Sequence, residues 1–320
     1  MGLNWHGTRF LASIKRDGAD FSHTITIGRL NLNVSMAKIR QILDTYAIPH
    51  SLTEEQVLEK PMYCETVLKL LGAQIVDSMD ASNYEQATVV ADLNKPIPES
   101  LHGQFDLVYD GGTIEHVFDV RQAFHNLMSL PKVGGGVVIQ TMANNWFGHG
   151  FYQFSPELFY RVFSPENGYR VARVIVHETN EFSQWYDVPD PAEVRGRIEL
   201  ANSWNGVMVS VYAKREAIVP LFEKTPQQSD YSARWDRNEP HKPEEAAVVA
   251  GKPASGAKPV SLKRRLIAGL KQKLPWALRL KHRMMTSFPI VPRLVNKRSH
   301  RHERKRFSFQ SQPNKFRPVD

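Results

Sequence analysis

The sequence has a single cysteine, Cys64, among its 320 residues. No internal disulfide can form, which suits a reducing compartment. It has no apolar run near the roughly 18–20 residues that a membrane-spanning helix needs. The start, Met1-Gly2-Leu3-Asn4-Trp5-His6, lacks the basic and apolar regions of a secretory leader. Position 6 is His rather than Ser or Thr, which removes an N-myristoylation signal at Gly2. The expected location is therefore cytoplasmic. The first 257 residues also lack a net positive charge, with 23 basic against 31 acidic residues, or −8. The formal net charge of +8 comes from residue 258 onward, where 18 Lys and Arg face two acids, Glu303 and Asp320. Nothing in the body's charge balance favours nucleic acid.

What is present reads as alternating strands and helices, and the hydrophobic fraction of 42% allows a sizeable core. Residues 24–30 predict a strand with a turn at Gly28. Ser35 caps a helix through Ile39, Ile42 and Leu43, and 48–60 is a polar excursion. A second helix is expected from Pro61 to Gly72. Strands follow over Ala73–Met79, ending at Asp80, and over Ala87–Ala91, ending at Asp92. Phe105 to Asp110 is an apolar strand ending in an acid and the pair Gly111-Gly112. A helix from Phe118 to Leu130, a break at 131–135 and a strand over Gly136–Met142 complete a βαβ crossover. Ser155-Pro156-Glu157 opens another helix. Tyr169–Val176 and Val207–Ala213 are the last two strands, with 180–205 an insertion over the sheet edge. Seven strands result. The last connection has no helical pattern, which permits antiparallel pairing.

The block Phe105-Asp-Leu-Val-Tyr-Asp110, then Glu115-His116, then Leu127, Leu130 and Gly134-Gly135 resembles the class I S-adenosylmethionine (SAM)-dependent methyltransferases. The resemblance is specific over 105–142, fair over 24–213, and ends near residue 217. It implies a Rossmann-like α/β domain, over 1–217, with a seven-stranded sheet and flanking helices, and SAM as cofactor. Open parallel sheets bind ligands at the carboxyl ends of their strands. The resemblance gives Asp80 to the ribose and Asp92 with Leu93 to the adenine, and puts Asp110, Gly111 and Gly112 beside the cofactor. The family's Gly-rich turn after the first strand is reduced here to Gly28, with Arg29 or Asn31 left to meet the cofactor carboxylate. An ordinary strand-ending turn is the other reading of Gly28.

Some small-RNA and quinone-type methyltransferases bind a divalent metal through an E-x-x-E-H block. Gly112 stands in its first position here, so no metal is expected. His116 is then a candidate general base, because its pKa suits neutral pH. Glu115 is either a substrate contact or a cap for the helix that follows. The loop 143–154 is aromatic and glycine-flanked, and loops in this place carry substrate-facing groups. Asn145, Trp146, His149 and Tyr152 are its candidates for a ring-shaped polar acceptor, a sugar or a nucleoside, with His149 also a candidate catalytic group.

Past residue 217 the pattern changes. A linker composition over 218–260 leads into a basic tail over 261–320, whose apolar positions Leu262, Leu266, Ile267, Leu270 and Leu274 keep helical spacing up to Pro275. Its charge suits peripheral attachment to an anionic membrane face through 261–306, with nucleic acid the weaker alternative and a solvated tail a third. The expected activity is methyl transfer, to oxygen, on a small-molecule or glycan acceptor. A methyltransferase fold that binds without catalysing, and an RNA methyltransferase, are the rivals.

Overall fold

The computed structural model describes residues 2–194, 198, 205–235 and 318–319. Strand β1 (Gly2–Leu3) and helix α1 (Trp5–Arg16) open the chain. The α1 start is capped by Asn4, whose side chain accepts from the Gly7 N–H. Next come β2 (His23–Ile27), β3 (Asn31–Leu32), α2 (Met36–Thr45), α3 (Glu54–Leu58), α4 (Glu65–Leu70), β4 (Ile75–Asp80) and β5 (Val89–Val90). Then follow β6 (Phe105–Asp110), α5 (Val120–Ser129), β7 (Pro131–Asn144), α6 (Pro156–Val162) and β8 (Tyr169–Glu178). The last are β9 (Trp185–Asp187), α7 (Pro191–Val194), β10 (Val207–Arg215), α8 (Ser229–Trp235) and β11 (Pro318–Val319).

The main sheet runs β11-β9-β8-β10-β7-β6-β2-β4-β5. From β7 to β5 the neighbours are parallel, and β10 inserts antiparallel between β7 and β8. The seven strands β2, β4, β5, β6, β7, β8 and β10 are those the sequence predicts. With helices on both sides they make a mixed, Rossmann-like α/β sheet. Every residue of β6 is buried, as a central parallel strand requires. Successive side chains feed opposite faces: Val108, Val137 and Ile139 join Phe124, Leu127 and Phe159 in one core, while Leu107, Tyr109 and Val138 join Phe10, Leu43 and Leu68 in the other.

Several expectations need correction. The helix placed at Pro61 starts at Glu65, because the chain first bridges Tyr63 to Asn31. The strand read over 24–30 stops at Ile27, and β3 leaves it to pair with β1. The polar excursion holds α3, built on a Thr53–Gln56 capping box. No break separates α5 from β7: the glycine-rich start runs as strand and shows only as a register shift against β6 between Phe105 and Leu107. The insertion 180–205 contributes β9 and α7. The linker begins too early at 218, since Phe222 is buried, its N–H donates to Asn167, and Ser229 bonds Glu157. The tail over 261–306 lies outside the described residues.

Helix α1 is tied to the far sheet edge by a buried imidazole pair. The Trp185 indole N–H donates to His6 Nδ1 at 2.8 Å, so His6 Nε2 carries the proton and donates to the Asn180 carbonyl at 2.9 Å. His177 stacks on His6 at 4.0 Å. Burial pushes His177 down to about 3, with the neighbouring His6 adding to the effect. The unfolded chain binds a proton near pH 6.5 that the folded chain refuses. This contribution to stability is complete above pH 6.5 and lost as pH falls from there toward 3, by about 1.4 kcal/mol per unit. His177→Asn is expected to flatten the acid limb of the urea-denaturation free energy relative to wild type. Parallel limbs would contradict it.

Candidate active site

The strand order reverses between β2 and β6. Chain connections leave this point in opposite directions, opening a crevice at the carboxyl edge. β2 ends in Gly28, whose φ of 78° favours glycine. Its N–H donates to Met79 O at 2.6 Å, drawing the turn against the end of β4. A Cβ on Gly28 would sit 3.2 Å from Thr113 Oγ1 and 4.0 Å from Asp80 Oδ2. Gly28 and the Asp80 carboxylate therefore share one side of the crevice. Asp80 Oδ1 accepts from the Ser82 N–H, and Thr113 Oγ1 donates to Ile27 O at 2.8 Å, closing the floor between β2 and the turn after β6.

Other expected cofactor residues are differently engaged. Asp110 is fully buried, and its carboxylate accepts from the Gly112, Thr113 and Ile114 N–H groups at 3.1, 2.7 and 3.2 Å. It shapes the turn rather than offering itself to a ligand. Burial pushes it up to about 6 against the pull of those three bonds. Gly111 faces Leu30, whose Cδ1 lies 2.6 Å from where a Cβ would stand. Leu30 is nearly buried and narrows the crevice where a Gly-rich turn would leave it open. Gly112 takes a φ of 106° in the same turn. The Arg29 guanidinium is committed elsewhere. It pairs with Glu65 at 2.9 Å, donates to Glu85 O at 2.9 Å and stacks 4.0 Å over the Tyr63 ring. Asp92 is held by the Asn94 side chain and backbone, which lower its pKa, and Leu93 points into the core. Only the Asp92 side of that pair faces solvent.

Across the crevice the turn after β6 meets the loop after β7. Glu115 is fully buried. Its Oε2 accepts from Thr141 Oγ1 at 2.8 Å, and Oε1 is buried with no protein hydrogen bond. Burial, then the nearby Asp110 charge, pushes Glu115 up to about 8. Its carbonyl accepts from the Phe151 and Tyr152 N–H groups at 2.7 and 3.3 Å, which pins the loop to the turn. That contact brings His149 to His116, with ring centroids 4.9 Å apart. Burial, then His149, lowers the His116 pKa. His149 Nε2 is buried with no protein hydrogen bond, and the ligand atoms of Glu115, His116 and His149 all lie within 4.8 Å of one another.

The remaining loop residues divide. Trp146 packs its ring against Gly206 and His149, and Asn145 donates to Asn205 O at 3.1 Å, so both anchor the loop. The Tyr152 hydroxyl donates to Phe118 O at 2.7 Å. Phe118, which the sequence reads as the start of a helix, instead stands exposed against Phe151, edge to face at 5.9 Å, with Phe147 exposed nearby in sequence. Sequence reasoning missed this rim and missed Thr141. The only signal for Thr141 was its place, beside Gln140, as a polar residue where the apolar run of β7 ends. Thr141→Val would leave both oxygens of the buried Glu115 carboxyl without a protein partner. A loss of about 1–3 kcal/mol in unfolding free energy is expected by urea titration. No loss would mean that the bond contributes nothing net.

No family model matches the chain, and no curated protein matches it in sequence. Solved structures do resemble it. A SAM-dependent methyltransferase from Aquifex aeolicus is 14% identical over 63% of this chain and 87% of its own, at a TM-score of 0.31. A protein assigned as a sarcosine dimethylglycine methyltransferase from Galdieria sulphuraria is 11% identical over 67% and 87%, at 0.38. The branched-chain polyamine synthase of Thermus thermophilus is 10% identical over 70% and 61%, at 0.35. At such scores these likenesses carry nothing about chemistry. No described helix is long and apolar enough to cross a membrane.

Proposed function

We propose that the chain is a SAM-dependent methyltransferase that methylates a hydroxyl of a small-molecule or glycan acceptor. The observation that carries the reading is the meeting of the Gly28 turn and the Asp80 carboxylate at the switch point of the sheet. A nucleoside cofactor needs a carboxylate for its ribose diol and close backbone approach beside it. The residues present fit the ribose end. Leu30 makes the methionine end tighter than a Gly-rich turn would. Bound there, SAM supplies an electrophilic methyl group, and the domain's task is to hold the acceptor in line with it.

The acceptor side of the crevice is the Glu115–His116–His149 group. His116 is exposed, and its lowered pKa favours the neutral imidazole, which has a lone pair to give. It can take the acceptor's proton as the C–S bond breaks and the C–O bond forms, or it can hold a cation. The two uses exclude each other. The exposed rings of Phe118 and Phe151 suit the apolar face of a sugar. The acidic body counts against RNA as acceptor. For the tail over 261–306, charge alone supports attachment to an anionic membrane, which co-sedimentation with phosphatidylglycerol vesicles tests.

Incubation of the full chain with methyl-tritiated SAM and a panel of sugars, glycolipids and RNA tests the reading. Label is expected in a sugar or glycolipid. Label confined to RNA would overturn the acceptor assignment.

A further inference from the structure

The geometry points to a divalent transition-metal site formed by Glu115, His116 and His149, placed to hold the acceptor hydroxyl. The second half of this inference rests on the methyl-transfer reading. Three independent observations support the site. The first is convergence: one carboxylate and two imidazoles bring their ligand atoms within 4.8 Å of one another. The second is deficit. Glu115 is fully buried, yet its Oε1 has no protein partner, and His149 Nε2 is likewise buried and unmatched. Buried polar atoms are almost always bonded, so two orphans in one cluster need an explanation. A cation satisfies both together.

The third observation is construction. His116 and Glu115 come from the turn after β6, and His149 from the loop after β7. The two segments are locked by the Phe151 N–H on Glu115 O at 2.7 Å. Gly150 makes that lock possible. Its φ is 71°, and a Cβ there would stand 2.8 Å from Glu115 O. Thr141 holds Oε2 at 2.8 Å, which aims the carboxylate from behind, the supporting contact that metal ligands commonly have.

The donor set selects the ion. Two imidazole nitrogens and one carboxylate oxygen suit manganese, iron, cobalt, nickel or zinc, whereas magnesium and calcium prefer all-oxygen sets. Three protein ligands on one side leave positions open. His116 is exposed, so those positions have access to solvent at the crevice. A hydroxyl held there is acidified by the cation, as metal-bound water is. The proton then leaves to solvent water, the acceptor oxygen forms the C–O bond, and the C–S electron pair returns to sulfur. His116 is a ligand in this scheme and not the base.

The test is titration of the metal-free full chain with Co(II), followed by its visible ligand-field absorption, and by calorimetry with Mn(II) and Zn(II). One equivalent is expected to bind in the wild type. His116→Ala and His149→Ala should each weaken it by at least tenfold, and His102→Ala, remote from the cluster, should not. No binding at millimolar metal, or equal binding in wild type and both cluster variants, would overturn the site. S-adenosylhomocysteine titrated into the same samples separates the two readings. Nucleoside binding without metal binding rejects the metal site alone. Metal binding without nucleoside binding supports the site and rejects its methyl-transfer role.

Discussion

Gly150→Val is expected to lower kcat/KM for methyl transfer by roughly a hundredfold or more, while S-adenosylhomocysteine affinity changes only a few-fold. Gly150 has a φ of 71°, a region that costs an L-residue about 1–2 kcal/mol. Its added Cβ would stand 2.8 Å from Glu115 O, a backbone atom that cannot swing aside. The lock between Phe151 N–H and Glu115 O must open, and His149 moves with it. A displacement of about 1 Å at a reacting centre can cost a hundredfold in rate. The Gly28–Asp80 side of the crevice belongs to different strands and keeps its own bonds. Calorimetry and steady-state rates on one preparation check this. Equal losses in affinity and rate would mean that the substitution unfolds the domain.

Asp80→Ala should weaken S-adenosylhomocysteine binding by roughly 30- to 150-fold, which corresponds to the loss of about 2–3 kcal/mol carried by hydrogen bonds to a charged group. The fold should tolerate the change. Asp80 ends β4 at the surface of the crevice, and its side chain accepts from the Ser82 N–H in a local turn. Asp110→Asn is the informative contrast. That carboxylate caps three backbone N–H groups in the turn that carries Glu115, so its loss should appear as lower stability rather than as a selective loss of binding. If Asp80→Ala binds like wild type, the ribose is held elsewhere.

The central sheet was legible because burial on both faces forces a continuous apolar run. Phe105–Asp110 and the core of β7 could hardly be anything else. Helix α1 was passed over: Phe10, Leu11 and Ile14 give it an apolar side, but His6, Gly7, Thr8 and Ser13 are buried with them and read as a polar start. The acidic strand ends look alike in sequence and do different work. Asp80 lines the crevice, Asp92 caps a turn with Asn94, and Asp110 is buried under its own backbone. Which way an aspartate turns at a strand end is set by the φ values that follow it, and only the folded chain fixes those. Arg29 was read as free for a ligand. Glu65 and Tyr63, distant in sequence, claim it. His116 and His149 were each suspected, but their meeting depends on one left-handed glycine that composition cannot reveal.

Isothermal titration of the full chain with S-adenosylhomocysteine tests the central claim most directly. One-to-one binding in the micromolar range, lost in Asp80→Ala, is the result predicted here. A folded protein that gives no heat at millimolar ligand would contradict it, and would mean that Leu30 has closed the crevice to the nucleoside.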